Sequence, residues 1–162
     1  MDTIPKIGDP FLDKFAADAI QSQRQTGVPS SVTLAQALIE SGRGKSGLTV
    51  KALNFFGIKG TGPAGSVLMR TREVNHHGQS FFINAPFRKY HTAAESFADH
   101  GQFFIKNARY KNALAVKNDA HAFAREIQKA GYATDPHYAV VLIGIIDKFN
   151  LTRLDEIART NA

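Results

Sequence analysis

Proton transfer near neutral pH needs a group whose surroundings hold it in the right protonation state, and in this chain the carboxylates are the place to look. Its five glutamates divide by their neighbours. Glu95 closes the capping box Thr92-Ala93-Ala94-Glu95, in which the threonine hydroxyl and the glutamate each satisfy an unpaired helix N–H. Glu126 precedes Lys129 and Glu156 precedes Arg159 at helical ion-pair spacing, so none of these three requires a function. Glu40 differs. It follows the apolar Leu38-Ile39 at what reads as a helix C-terminus, and Gly42 and Gly44 leave open space beside it. There the helix dipole disfavours an ionised carboxylate and partial burial does the same, so its pKa should rise, as a general acid requires. A surface carboxylate paired with Lys45 is the other reading these residues allow.

Competing chemistries find less support. With no cysteine there is no thiol nucleophile, disulfide or Cys-based zinc site. Ser41 lies in Glu-Ser-Gly at a helix end, not in a Gly-x-Ser-x-Gly elbow. The glycines of 42–44 and 57–65 lack the strand-to-helix setting of a dinucleotide fingerprint, so a nucleotide site has weak support. His76-His77 reads as an exposed polar turn, since adjacent strand residues point to opposite faces and no His-Glu-x-x-His spacing occurs. His100 reads as a hydrogen-bonded, semi-buried histidine. No cofactor and no metal is expected.

The elements that must position Glu40 are legible from caps and periodicity. Asp9-Pro10 starts a helix carrying Phe11, Leu12, Phe15, Ala19 and Ile20 on its inner face, and Gly27-Val28-Pro29 ends it. Ser30 or Ser31 should cap the next, Val32 to Ser41, and a short helical stretch follows between Ser46 and Phe56. Gly57 to Gly65 is loop. Val67–Val74 and Gln79–Ile83 alternate as strands about Asn75-His76-His77-Gly78, predicting a hairpin in a small lobe over about 66–90. Helices resume from Thr92 to about Asn107 and from Asp119 to Lys129, with Gly131 as a stop. Asp135-Pro136 then starts a helix bearing Tyr138, Val141, Leu142, Ile145, Ile146 and Phe149, apolar on most sides and so expected at the centre of the core. Leu151 to Thr160 should be a short final helix. The reading is a single α+β domain, mainly α.

Composition agrees with one globular domain: 162 residues, 43% hydrophobic and 21% charged. No run is long enough for a membrane span. A formal charge of +6 favours encounter with polyanions, nucleic acid and bacterial envelope alike, yet the basic residues are scattered. Met1 to Lys6 has neither the basic start nor the apolar core of a secretory signal.

The words around Glu40 decide between its two readings. Ala35-Gln36-Ala37-Leu38-Ile39-Glu40-Ser41-Gly42-Arg43-Gly44-Lys45-Ser46, Asn54-Phe55-Phe56-Gly57-Ile58-Lys59-Gly60, Ala85-Pro86-Phe87-Arg88-Lys89-Tyr90, Glu95-Ser96-Phe97-Ala98-Asp99-His100 and Gly131-Tyr132-Ala133-Thr134-Asp135-Pro136 with Tyr138-Ala139 resemble, in order, the peptidoglycan-cleaving glucosaminidases of glycoside hydrolase family 73. The resemblance covers about residues 28–150. It implies a lysozyme-like helical body with a β-hairpin lobe, and an endo-β-N-acetylglucosaminidase acting on peptidoglycan glycan strands at the bacterial cell wall. Glu40 falls on the family's general acid, Glu73 on the second acidic residue of some members, and Tyr132 on a tyrosine near the cleaved bond.

Phe56, Tyr90 and Tyr138 are then candidate substrate contacts, though most phenylalanines should pack in the core. Arg43 stands where members often carry an aromatic, and could instead meet stem-peptide carboxylates. If Glu73 is a paired hairpin residue, Arg72 or Arg70 is its expected partner. A lysozyme or lytic transglycosylase acting beside N-acetylmuramic acid, or a basic binding domain for glycan or nucleic acid, are the alternatives. A monomer is expected, with no specific nucleic-acid partner and no apolar patch. Delivery to the wall would need phage-type release or a dedicated secretion route.

Overall fold

Asp9 caps the first helix as its sequence demands: its carboxylate accepts from the amides of Phe11 and Leu12 at 3.0 and 3.1 Å. In the computed structural model, which describes residues 3–160, this helix is α1 (Pro10–Thr26). It is followed by α2 (Ser30–Glu40), α3 (Gly47–Ala52), the strands β1 (Ser66–Val74) and β2 (Ser80–Arg88), and α4 (Ala93–Lys106). A 3-10 turn at Ala108–Tyr110 leads to α5 (Lys111–Ala115), α6 (Ala120–Lys129), α7 (Tyr138–Lys148) and α8 (Thr152–Thr160). The mainly helical α+β architecture with an inserted hairpin is the expected one. No helix among the described residues is long and apolar enough to cross a membrane.

The central helix is α2, not α7 as the hydropathy of α7 suggests. Every residue from Ser30 to Leu38 is buried, with α1, α6, α7 and α8 packed around them, while Val140 and Val141 of α7 are 68% and 44% exposed. Apolarity misleads here because α2 carries polar side chains whose hydrogen bonds are made inside the protein, which removes most of the cost of burying them. Ser30, for example, donates its hydroxyl to the side-chain oxygen of Gln23 at 2.6 Å.

The start of α2 shows the same effect. No side chain caps it locally; instead Asp155 of α8 accepts from the Ser31 amide at 2.7 Å and from its hydroxyl at 2.5 Å. Burial pushes the Asp155 carboxyl up to about 6 despite the Ser31 bonds that pull it down. A folded pKa above the ordinary 3.8 means that the native state holds this proton more tightly than the unfolded chain. The resulting stabilisation is full below pH 3.8 and is lost as pH rises through about 6. Asp155→Asn should therefore lack a loss of order 1–3 kcal/mol over that window. Melting curves of the two proteins that stay parallel from pH 3.5 to 7 would refute this.

Close packing of α1 on α4 explains a glycine within a helix. A Cβ on Gly101 would lie 2.7 Å from the Thr26 side chain and 2.9 Å from the Ser22 hydroxyl. Phe97 and Phe104 are fully buried on the same face of α4 and join a chain of rings from Phe15 to Tyr132. In the capping box, the Thr92 hydroxyl accepts from the Glu95 amide at 3.1 Å, while Glu95 reaches back one residue further than expected, to the His91 amide at 2.7 Å.

The hairpin pairs antiparallel from Ser66↔Arg88 to Val74↔Ser80, so β2 extends five residues beyond its expected end at Ile83. Pro86 is tolerated because in a two-stranded sheet each strand is an edge. Asn75 closes the turn, its side-chain oxygen accepting from the His77 and Gln79 amides at 2.9 and 3.0 Å. Contrary to expectation, the lobe exposes apolar side chains, Leu68 (71%), Phe82 (59%) and Val74 (54%) among them, with the Arg70 guanidinium over the Phe82 ring.

Candidate active site

Glu40 is the last residue of α2, and the chain beyond it makes a turn few sequences could follow. Gly42, Arg43 and Gly44 all have left-handed φ values of 57°, 58° and 81°, a region that favours glycine and strains arginine. Ser41 stitches the turn: its hydroxyl donates to the Ala37 carbonyl at 2.6 Å and accepts from the Gly44 amide at 2.8 Å. Arg43 is tied down by Asp9 at 2.6 Å, which holds that carboxyl below its usual range although burial opposes this. The Glu-Ser-Gly motif thus fixes where the helix ends and where the Glu40 side chain emerges.

Glu40 as a residue is exposed, opening onto a cleft of about 450 Å³, while its carboxyl sits low enough in that cleft to be partly buried. That burial raises its pKa, and one hydrogen bond counters it: the Tyr138 hydroxyl donates to Oε1 at 3.0 Å. Tyr138, not Lys45, is therefore its hydrogen-bond partner. Behind Tyr138, the Gln36 amide nitrogen donates to the tyrosine oxygen at 2.9 Å, and the Gln36 oxygen lies 2.8 Å from His100 Nε2. Tyr132 stacks on Tyr138, ring centroids 5.6 Å apart, and on Phe104 beneath it. Burial first, and the nearby Glu40 charge second, keep the Tyr132 hydroxyl protonated.

The opposite wall is built by Asn54. Its side-chain oxygen accepts from the amides of Phe56, Gly57 and Ile58 at 3.3, 2.9 and 3.2 Å, and its nitrogen donates to the carbonyls of Ile58 and Arg88, both at 2.9 Å. One buried amide therefore shapes the 54–58 loop and anchors it to the base of β2. This wall brings Lys59 and Arg88 to the cleft, and Arg109 joins them from the turn after α4. Three cations thus line the cleft, two of them paired outside it, Lys59 with Glu73 and Arg88 with Asp99, and the lining carries one carboxylate, that of Glu40. A lone protonatable carboxyl held at the side of a basic groove can deliver a proton to a leaving oxygen in an anionic substrate.

The sequence candidates are partly brought together. Glu40, Phe56 and Tyr132 line the cleft. Phe56 is 4% exposed and stacks on His100 at 3.9 Å, so it supports the floor more than it offers a platform. Tyr138 lies behind the acid, 6% exposed. Glu73 is outside the cleft lining and forms an ion pair with Lys59, not with Arg70 or Arg72. Arg43 and Tyr90 are elsewhere: Arg43 is committed to Asp9, and the buried Tyr90 donates to Asp99 at 2.6 Å. Arg43 instead borders a larger groove of about 590 Å³ with Phe11, Phe15 and Phe55. Among the described residues, no group of three or more His, Asp or Glu could hold a metal, and His76-His77 forms an exposed turn. Sequence reasoning missed Gln36, Asn54, Lys59 and Arg109. Gln36 was reachable, since it stands one helical turn before Glu40 and so on the same face.

Comparison with known proteins bears on this geometry. Residues 16–151 match the model of the glucosaminidase family, described as mannosyl-glycoprotein endo-beta-N-acetylglucosaminidase. The chain is 40% identical over 152 residues to the exo-glucosaminidase LytG of Bacillus subtilis, covering 91% of this chain and 53% of that protein. It is 32% identical to the peptidoglycan hydrolase FlgJ of Escherichia coli K12, covering 98% of this chain and 52% of that one. It thus spans about half the length of these curated relatives. The catalytic domain of the autolysin Auto from Listeria monocytogenes superposes with a TM-score of 0.81 at 30% identity, over 96% of this chain and 91% of that one. A family match running from α1 to the start of α8, on a backbone shared with that autolysin domain, places this chain in the glucosaminidase family.

Proposed function

We propose that this chain hydrolyses peptidoglycan glycan strands at the bond following N-acetylglucosamine, with Glu40 as the general acid. The observation that carries the reading is Glu40 itself, the one carboxylate in the lining of a basic cleft, with its pKa raised by burial and its Oε1 held by Tyr138. A raised pKa lets the carboxyl hold its proton to higher pH than a free glutamate does, and leaving-group protonation is what glycosidic cleavage asks of an acid. Arg109 suits a glycan that bears stem-peptide carboxylates, whereas Lys59 and Arg88 beside it already face Glu73 and Asp99. Tyr132, protonated and beside Glu40, can orient the sugar's acetamide or the attacking group. The substrate places the chain's work at the bacterial cell wall.

Glu73 has a lesser role in this reading. Its charge is shared with Lys59 at the edge of the cleft, so it tunes the wall more than it attacks the sugar. Glu73→Gln should retain about a tenth of the parent rate, a defect much smaller than that of Glu40→Gln. Equal losses in the two variants would make Glu73 an essential second carboxylate.

The test is digestion of purified peptidoglycan, borohydride reduction of the fragments and mass spectrometry. Reduced N-acetylglucosamine ends that vanish with Glu40→Gln support the proposal. Reduced or anhydro-muramic ends would move the chain to the muramidase or transglycosylase class, and no fragments at all would leave a glycan-binding domain.

A further inference from the structure

Three helices meet behind Glu40 in one line of hydrogen bonds: His100 of α4, Gln36 of α2 and Tyr138 of α7, ending on Glu40 Oε1 with successive distances of 2.8, 2.9 and 3.0 Å. Gln36 and His100 are fully buried and neither lines the cleft. A glutamine amide is directional, with a donor at one end and an acceptor at the other, so a chain running through it has two polarities. If the histidine proton is on Nε2, Gln36 turns its oxygen to His100 and its N–H to Tyr138, whose own proton is left to donate to Glu40. If the proton is on Nδ1, the amide reverses, Tyr138 donates backwards to Gln36, and its lone pairs face the carboxylate.

His100 chooses between them. Its Nδ1 is buried with no hydrogen-bond partner, enclosed by the rings of Phe56 at 3.9 Å and Phe104 at 4.9 Å. A buried N–H without an acceptor costs more than a buried lone pair without a donor, so the proton belongs on Nε2. Burial also lowers the His100 pKa to about 3, which keeps a second proton off the ring.

We propose that His100 is a positioning residue for Glu40: acting through Gln36, it fixes the polarity of the chain so that Tyr138 always donates to Oε1 and the catalytic proton is confined to Oε2. The groups against His100 are Gln36 from α2, Phe56 from the 54–58 loop and Phe104 from α4 itself. Around Glu40 stand Tyr138 and Tyr132, and the cleft walls add Lys59, Arg88 and Arg109. Gln36 and Tyr138 join His100 to Glu40 by hydrogen bonds, while Tyr132 interacts with both Gln36 and Glu40, and Phe56 lines the cleft as well as stacking on His100. The inference rests on Glu40 being the acid.

The experiment is the pH profile of kcat and KM for glycan hydrolysis. Tyr138→Phe keeps the ring stack and removes the donor that lowers the Glu40 pKa, so kcat should fall about tenfold and the alkaline limb should move to higher pH. His100→Phe should move the same limb in the same direction with a loss of about threefold in kcat and an unchanged KM. His100→Gln, whose amide N–H can replace the Nε2 donor, should restore the parent profile. The double variant His100→Phe/Tyr138→Phe should match Tyr138→Phe alone. If His100→Phe is unfolded at the assay temperature, Gln36→Met, which keeps length and removes both amide ends, takes its place with the same expectation. A parent-like limb in His100→Phe, or losses that multiply in the double variant, overturns the proposal. Full activity in Glu40→Gln would overturn the functional reading instead, so the two failures are distinguishable.

Discussion

Glu40→Gln leaves a folded protein that releases glycan fragments at least about a thousandfold more slowly than its parent. Glutamine has nearly the volume of glutamate, and its amide oxygen can still accept from Tyr138, so the hydrogen bond at 3.0 Å survives. What is lost is the acidic proton. An amide has none to give to a leaving alkoxide, and no other carboxylate lines the cleft to take over. Because burial disfavours the ionised form of Glu40, the neutral variant should melt at or slightly above the parent temperature. Activity and stability thus move in opposite directions, the signature of a functional rather than a structural carboxylate. Fragment release by mass spectrometry and a thermal melt read both, and a variant that keeps a tenth of the parent rate would remove Glu40 from the acid role.

Phe97→Ala has the largest effect on stability, about 3–5 kcal/mol, or a drop of order 10 °C in melting temperature for a chain of this size. Phe97 is fully buried and touches the rings of Phe15, Phe55 and Phe56 at 5.7, 5.5 and 5.2 Å. These come from α1 and the 54–58 loop, elements fixed at their other ends by the Asp9 cap and by Asn54. The walls therefore cannot collapse into the space, which is the condition for a high cavity cost. Phe56 also supports His100 at 3.9 Å, so the packing defect reaches the underside of the site. Denaturant unfolding with an unchanged m-value checks it, and a loss below 1 kcal/mol would mean that the core repacks.

The order of the helices apart from α5 and the 3-10 turn before it, the hairpin, the caps at Asp9, Thr92 and Asp119 and the raised pKa of Glu40 were all legible in the sequence. Each depends on neighbours a few residues away: a carboxylate two or three positions before the amides it caps, alternation along a strand, or a helix that ends at its acid. The motif residues Glu40, Phe56 and Tyr132 were legible as well, and they do line one cleft. The family resemblance located them without saying how they are held.

Tertiary structure alone decided the rest, because the partners are far apart in the chain. Asp155 caps α2 from 124 residues away, and His100 meets Gln36 across 64. Apolarity placed α7 at the centre, whereas α2 is buried there with the side chains of Ser30, Ser31 and Gln36 paired inside, and hydropathy counts groups without seeing their partners. Arg43, Tyr90 and Tyr138 carry the right chemistry for a sugar contact, yet Asp9, Asp99 and Glu40 already engage them. Local pattern determines which side chains can act; which of them are free to act depends on long-range hydrogen bonds and charge pairs that exist only once the helices have packed.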